Sequence, residues 1–222
     1  MDYKTILITA GPTREYIDQV RFISNDSSGK TGYLLAEEAK KRGMKVILIS
    51  GTTNRKPPEN IKIIYVISAE QMFGQVKKYF EKCDVFISCA AVSDYRPEKY
   101  TKNKIKKTGK SVTLKLISNP DILYEVSHLK SPTTNYRLPA SRFPIESSSN
   151  PFLIGFALES NNLIKNAQRK LKEKKLDIII ANKVDSINSD KTTGAIIIKN
   201  KIEKFKNITK KLLAKKIISK IL

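Results

Sequence analysis

Residues 5–51 read TILITAGPTREYIDQVRFISNDSSGKTGYLLAEEAKKRGMKVILISG. An apolar run over Thr5–Thr9 predicts a short buried strand, which ends at Gly11. A helical pattern after Gly29 ends near Gly43, a residue typical of helix C-termini, and a second apolar run follows at Val46–Ser50. A strand, a helix and another strand in this order form the unit of a parallel sheet with helices on its faces.

The same alternation continues through most of the chain. Further strands are predicted at 61–66, 85–89, 152–156 and 177–181, and further helices at 68–80, 161–174 and 208–222. An alternating run at 112–116 is typical of a solvated strand, and residues 195–199 and 202–205 predict a hairpin. We therefore expect an α/β, Rossmann-like fold: a mostly parallel sheet, helices on both faces and a small additional β element near the C-terminus.

Length and composition are those of one globular unit. The chain has 222 residues, of which 40% are hydrophobic and 28% charged, so we expect a single domain over 1–222. Residues 131–150, rich in Ser, Thr, Asn and Pro, are expected to form a disordered or ligand-ordered flap. The N-terminus leads directly into a strand and no apolar run is long enough to cross a bilayer, so we expect a cytoplasmic protein with no membrane association.

The net charge of +21 permits two interpretations. A basic surface attracts polyanions, so a nucleic-acid-binding module is one possible function. Lysines spread singly or in pairs over helix faces are equally typical of a solvated surface. The sequence has no RNA-binding aromatic pair, helix-turn-helix or zinc-finger spacing to favour the first interpretation.

The loop after the first strand contains a motif typical of phosphate binding. Ligands of open α/β sheets lie beyond the carboxyl ends of the strands, and helix N-termini bind anions. The run Ser28-Gly29-Lys30-Thr31 resembles the end of a Walker A loop, but Ser24 stands where that motif needs glycine. No G-x-G-x-x-G dinucleotide motif follows the strand. A phosphate-binding turn and a simple glycine-containing helix start both remain open.

Three later segments also place polar or small residues after strands. They are Cys89–Pro97 with the cluster Lys104–Lys107, the turn Asn119–Ile122, and Gly155–Ser160 with Lys170 and Lys174 on the following helix. Small residues allow a ligand to approach the backbone, and lysines neutralise phosphate oxygens. Taken singly, the lysines are also typical of a solvated surface.

Together these segments resemble the phosphopantothenoylcysteine synthetase (phosphopantothenate–cysteine ligase) family. The matching runs cover nearly the whole chain in order: 8–15, 20–32, 90–97, 104–107, 119–122, 155–157, 176–177 and 181–182. The chain departs from the family pattern at Ser93 and Leu158, where alanine is usual, and in the weakly matching segment Asn188–Lys191.

The resemblance implies a ligase that joins 4′-phosphopantothenate to cysteine in coenzyme A biosynthesis. In the bacterial type, CTP is the co-substrate and Mg²⁺ the cofactor: the carboxylate displaces pyrophosphate to give an acyl-cytidylate, from which cysteine displaces CMP. The resemblance also implies a homodimer. We expect either a stand-alone synthetase or an isolated synthetase domain, and no nucleic acid as a partner. The competing enzyme class is a nicotinamide-dependent reductase, which the fold alone would not exclude.

Site residues follow from the same resemblance. Asn25 and Lys104 are the expected catalytic residues: the Asn25 amide would donate to the acyl-cytidylate carbonyl, and Lys104 would neutralise charge at the α-phosphate. Arg21, Asn25, Ala90 and Ala91 would bind phosphopantothenate. Nucleotide contacts are expected from Gly11, Ser28, Gly29, Lys30, Asp94, Lys104, Asn119, Pro120, Asp121, Ile122, Phe156, Lys170 and Lys174. The resemblance identifies no metal ligands.

Overall fold

The computed structural model describes residues 5–129, 151–199 and 201–222. The strands are β1 (Thr5–Ala10), β2 (Arg14–Tyr16), β3 (Phe22–Ser24), β4 (Lys45–Ser50), β5 (Lys62–Tyr65), β6 (Val85–Ser88), β7 (Tyr95–Pro97), β8 (Leu116–Ser118), β9 (Phe152–Glu159), β10 (Ile178–Lys183), β11 (Lys191–Ile198) and β12 (Lys201–Thr209). The α-helices are α1 (Lys30–Lys41), α2 (Ala69–Phe80), α3 (Ile122–His128), α4 (Leu163–Glu173) and α5 (Lys210–Ile218). No helix in these ranges is both long and apolar enough to cross a membrane.

Eight strands form the central sheet in the order β12-β11-β10-β9-β6-β1-β4-β5. The six strands from β10 to β5 are parallel, and β11 and β12 add an antiparallel pair at one edge. The chain winds outward from β1 in one direction through β4 and β5, and in the other through β6, β9 and β10. This is the doubly wound order of Rossmann-like folds, so the predicted fold class is confirmed.

The helices cover both faces of the sheet because successive side chains of its strands point to opposite sides. On β1, Ile6 and Ile8 belong to the core cluster that includes side chains of α1 and α5, whereas Leu7 belongs to the cluster that includes those of α2, α3 and α4. The apolar run of β1 is therefore buried on both faces, as the uninterrupted hydrophobic sequence of a parallel strand requires.

Local sequence signals account for the helix boundaries. Gly43, with a φ of +82°, follows α1 and allows the left-handed turn that ends it. The Ser68 hydroxyl accepts a hydrogen bond from the Gln71 backbone N–H at 3.2 Å and caps α2. Both helix signals are confirmed.

Several short elements differ from the sequence-based expectation. Residues 112–115 are not in a strand, and β8 begins only at Leu116. The C-terminal helix begins at Lys210 rather than Ile208, because β12 continues to Thr209. The small sheets β2–β3 and β7–β8 were not expected, because strands of three residues leave too little periodicity in a sequence. The expected flap at 131–150 lies outside the described residues.

Candidate active site at the switch point

The chain direction reverses between the carboxyl ends of β1 and β6, the switch point at which open α/β sheets have their ligand-binding crevice. Pairing of the two chains continues past the strands: the Ala91 N–H donates to the Gly11 carbonyl at 3.0 Å, and the Thr13 N–H donates to the Ala91 carbonyl at 3.3 Å. Ligands of open α/β sheets bind at this topological position. Gly11, Ala90 and Ala91, three of the expected site residues, therefore lie at its centre.

Asn25 reaches this crevice from the loop that follows β3. Its Nδ2 donates to the Val92 carbonyl at 2.9 Å and to the Ala91 carbonyl at 3.3 Å. The preceding Ser24 hydroxyl donates to the Thr13 carbonyl at 2.7 Å, which fixes the start of the loop. The structure thus brings Asn25 and Ala91 together, and both Asn25 amide hydrogens point to the backbone.

Arg21 and the Lys104 segment meet through one buried carboxylate. The side chain of Asp18 is fully buried and accepts from the backbone N–H groups of Val20 and Arg21 at 2.8 Å each and of Ile105 at 3.1 Å. The Arg21 guanidinium lies 3.6 Å from the Asp18 carboxylate and donates to the Ile105 carbonyl at 2.6 Å. Lys104 precedes Ile105, whose backbone these bonds hold in place. The Lys104 side chain is exposed and forms no ion pair in the described part of the chain.

These bonds also set the charge of Asp18. Hydrogen bonds from backbone N–H groups, led by Val20, together with the nearby Arg21 guanidinium, hold the pKa of its carboxyl below the ordinary 3.8, although burial opposes them. Asp18 is therefore a carboxylate at neutral pH. Sequence reasoning missed it because its role depends on the distant Ile105, and only its place before Arg21 hinted at it.

The start of α1 packs directly against the crevice. Gly11 and Gly29 have φ values of +73° and +70°, and a Cβ on Gly29 would lie 3.2 Å from the Gly11 backbone. Glycine is therefore required for this approach. Lys30, in the first turn of α1, forms an ion pair with Asp190, and the Lys30 ammonium lowers the pKa of the Asp190 carboxyl. The segment 188–191, a weak match in sequence, thus lies beside the α1 start, where Asn188 also donates to Asp26 at 2.8 Å.

The other expected nucleotide residues gather around β9, α3 and α4. Lys174 forms an ion pair with Asp121 at 2.7 Å, and Lys170 forms one with Glu159 at 2.8 Å. Burial acts against ionisation of Glu159, but hydrogen bonds from Lys170 and Asn166 lower its pKa. Glu159 and Asp121 therefore balance the charges of Lys170 on α4 and of Lys174 directly after it. An anion between these two lysines was expected from the sequence.

Asn119 joins this group to the end of β6. Its Nδ2 donates to the Ser93 carbonyl at 2.9 Å, and its N–H donates to the Asp94 carbonyl at 2.8 Å. Arg96 donates to the Asn119 side-chain oxygen at 2.9 Å and completes the cluster. Pro120 and Phe156 are half-buried, Ile122 is buried and the Asp94 side chain is exposed.

The expected nucleotide residues therefore form two groups. One surrounds the α1 start beside β1 and β4, and the other surrounds β9, with the Asn25–Ala91 contact between them. Strands lie about 4.8 Å apart, so β4 and β9, three positions apart in the sheet, are separated by about 14 Å. The described residues contain no group of three His, Cys, Asp or Glu side chains that could hold a metal ion.

A protein-family model and a relative of known sequence both match nearly the whole chain. The family model of the DNA/pantothenate metabolism flavoprotein C-terminal domain matches residues 1–138 and 142–222. The coenzyme A biosynthesis bifunctional protein CoaBC of Haemophilus influenzae is 41% identical over 220 residues, which are 98% of this chain and 51% of that protein. The chain thus spans about half the length of this relative.

Solved structures share the fold over nearly the whole chain. The crystal structure of the C-terminal domain of a CoaBC protein superposes with a TM-score of 0.78 at 35% identity, covering 98% of this chain and 93% of that one. The DNA/pantothenate metabolism flavoprotein from Streptococcus pneumoniae gives a TM-score of 0.80 at 26% identity and covers 98% of both chains.

Proposed function

Because this chain belongs to the family of the DNA/pantothenate metabolism flavoprotein C-terminal domain, the phosphopantothenoylcysteine synthetase family, we propose that it joins 4′-phosphopantothenate to cysteine in coenzyme A biosynthesis. The co-substrate is CTP, which is converted to CMP and pyrophosphate. The relatives named for coenzyme A biosynthesis support the pathway, and the arrangement of the crevice supports the chemistry.

The observation that carries the proposal is that one segment, residues 18–25, contacts both the backbone after β6 and the backbone next to Lys104. Asn25 binds the backbone that follows β6, while Arg21 and Asp18 hold the backbone next to Lys104. The same segment thus links a donor amide and a guanidinium to the backbone that carries the Lys104 ammonium, which forms no ion pair within the described residues. These groups suit a substrate with a phosphate and a carboxylate, and a second substrate with a triphosphate.

In the first half-reaction, the phosphopantothenate carboxylate oxygen attacks the α-phosphorus of CTP and pyrophosphate leaves. Negative charge increases on the α-phosphate oxygens, and the unpaired Lys104 ammonium neutralises it. Arg21 binds the acidic substrate, with its guanidinium already oriented by Asp18 and Ile105. The nucleotide spans from β9, near Phe156, Lys170 and Lys174, to the α1 start at Gly29 and Lys30.

In the second half-reaction, the cysteine amine attacks the acyl carbonyl, the bond to the phosphate oxygen breaks and CMP leaves. Asn25 stabilises the carbonyl oxygen as its charge grows. In the structure the Asn25 Nδ2 donates to two backbone carbonyls. A hydrogen bond to the acyl oxygen would therefore replace the longer of the two, the 3.3 Å bond to the Ala91 carbonyl. The small side chains of Ala90 and Ala91 leave room for the acyl group in the crevice.

Mg²⁺, when bound, would neutralise triphosphate oxygens. Mg²⁺ commonly binds through substrate phosphates and water with few protein ligands, which agrees with the lack of a three-ligand cluster in the described ranges. We assign it no protein ligands.

A second copy of the chain is the proposed partner. The two small sheets adjoin through the bridge between Asp18 and Thr101. They and the strand-free residues before β8 expose seven large apolar side chains: Val20, Phe22, Tyr95, Tyr100, Val112, Leu114 and Leu116. Exposed apolar clusters of this kind mark protein interfaces, and a homodimer would place this surface, with the neighbouring Arg21, at its two-fold axis.

The test follows the oxygen atoms. Phosphopantothenate labelled with ¹⁸O in its carboxylate should transfer one label to CMP, because the attacking oxygen leaves with the α-phosphate. Label in pyrophosphate or inorganic phosphate instead would mean attack at another phosphorus, and product formation without any transfer would exclude the acyl-cytidylate.

A further inference from the structure

A pocket of about 450 Å³ lies beside the α1 start, at the carboxyl end of β4. Three cationic side chains line it, those of Arg14, Arg55 and Lys56, together with the hydroxyl-bearing residues Ser28, Thr52 and Thr53. None of the described residues that line the pocket carries a carboxylate. Only Ser28 of this group was expected in the nucleotide site.

The loop after β4 is built onto the α1 start. The Thr53 hydroxyl donates to the Ser28 carbonyl at 3.0 Å and accepts from the Arg55 N–H at 3.2 Å. The Thr52 N–H donates to the Pro12 carbonyl at 3.1 Å. The pocket and the glycine turn that precedes α1 are therefore one structural unit.

The three cationic side chains of the pocket have no ion-pair partner among the described residues. Arg14, Arg55 and Lys56 form no ion pair with any residue in 5–129, 151–199 or 201–222, and the Arg55 Nε is buried without a hydrogen-bond partner. Burying a polar atom unpaired is costly, so this guanidinium is suited to an incoming acceptor. Arg14 stacks on the Phe22 ring at 4.4 Å, which fixes its position at the pocket wall.

The positive charges near the pocket also shift the pKa values of Lys210 and Asp190. Burial lowers the pKa of the Lys210 ammonium, and the nearby Lys30 and Arg55 charges lower it further. Asp190 is a carboxylate of this neighbourhood: it forms an ion pair with Lys30, and the charges of Lys30 and, to a smaller extent, Arg55 lower its pKa. An anion of several charges in the pocket would relieve this repulsion.

We propose that Arg14, Arg55 and Lys56 form a subsite for the terminal phosphates of a nucleoside triphosphate. The inference rests on the proposed nucleotide site, because Ser28 and the α1 start connect the two. The subsite would hold the β- and γ-phosphates during the first half-reaction and the pyrophosphate that leaves. Guanidinium groups suit this ligand, since each can donate two parallel hydrogen bonds to a phosphate.

The test measures the affinity of the full chain for inorganic tripolyphosphate, CTP, CMP and 4′-phosphopantothenate by titration calorimetry. Arg55→Gln and Lys56→Gln each remove one charge, and Lys56 is exposed, so its replacement spares the fold. Lys45→Gln is the matched control: it removes an exposed lysine from the opposite end of β4, about 16 Å from Ser50 along the strand. Charge-assisted hydrogen bonds of this kind typically contribute about tenfold or more in affinity.

We expect Arg55→Gln to weaken tripolyphosphate and CTP about tenfold or more and Lys56→Gln to weaken both by a smaller factor. CMP and phosphopantothenate should bind both variants as they bind the parent, and Lys45→Gln should change nothing. Unchanged tripolyphosphate affinity in Arg55→Gln would overturn the subsite, as would weakened phosphopantothenate with unchanged CTP. A chain that binds tripolyphosphate through Arg55 but forms no product would contradict the proposed function and leave the subsite standing.

Discussion

Replacing Asn25 by aspartate separates the two proposed half-reactions. Aspartate keeps the shape of the side chain but places an oxygen where Nδ2 now lies, 2.9 Å from the Val92 carbonyl and 3.3 Å from that of Ala91. Two hydrogen bonds are lost, and like partial charges face each other.

The structure limits the cost to stability. Each hydrogen bond between neutral groups contributes about 0.5–1.5 kcal/mol. Two such bonds give about 1–3 kcal/mol, and because Asn25 is exposed, water can replace part of this, so the sum is an upper limit. For a chain of this size, it corresponds to a fall of at most about 2–12 °C in the melting temperature. Losing a donor to a developing oxyanion typically costs about 10²–10³ in rate, so the loss of turnover should far exceed the loss of folded protein.

The assay measures the two products separately. In Asn25→Asp, pyrophosphate should still appear in a single turnover with CTP and phosphopantothenate, whereas CMP release after cysteine addition should slow about 10²–10³-fold. Asn161→Ala is the control, because the Asn161 side chain is exposed and makes no hydrogen bond in the described ranges. A variant that forms no pyrophosphate would move Asn25 to the first half-reaction, and one with parental CMP release would remove it from catalysis.

Three further outcomes are expected. Lys104→Gln should slow turnover with CTP about 10²-fold or more at an unchanged melting temperature, since its exposed side chain forms no ion pair with the residues that the structure describes; a matching fall in melting temperature would assign it a structural role instead. The Asp18 carboxylate, whose pKa is lowered on folding, should stabilise the fold fully above pH 3.8 and lose that contribution as the pH falls through its lowered folded-state pKa. Urea unfolding between pH 2 and 7 should therefore depend less on pH in Asp18→Asn, and an identical dependence would contradict the assignment. A Val112→Lys, Leu114→Lys double variant should convert the proposed dimer to a monomer in sedimentation velocity, and a parental sedimentation coefficient would place the interface elsewhere.

The main architecture could be predicted because it depends on local periodicity. Buried strands such as β1 and β4 are short apolar runs bounded by glycine, and α1 and α2 carry their end signals in sequence. The small sheets could not be predicted in this way. Strand β2 pairs with β3, and β7 pairs with β8, but three residues a strand leave too little alternation to be recognised in the sequence.

The candidate site was predictable only in part. Motifs after strands indicated Ala91 and the α1 start, and the family resemblance indicated Asn25; the fold brings all three to one edge of the sheet. Asp18 and Arg55 acquire their roles from residues far away in sequence, Ile105 and Ser28. The run from Thr52 to Lys56, polar and basic directly after a strand, was the one signal for the pocket.

The most direct test of the proposed function is product analysis with both nucleotides. The folded chain is incubated with 4′-phosphopantothenate, Mg²⁺ and either CTP or ATP, with and without cysteine, and pyrophosphate, nucleoside monophosphate and phosphopantothenoylcysteine are measured. We expect CMP and phosphopantothenoylcysteine only when cysteine is present, and mainly from CTP. No product from either nucleotide would contradict the ligase function, and a preference for ATP would contradict the assignment of CTP.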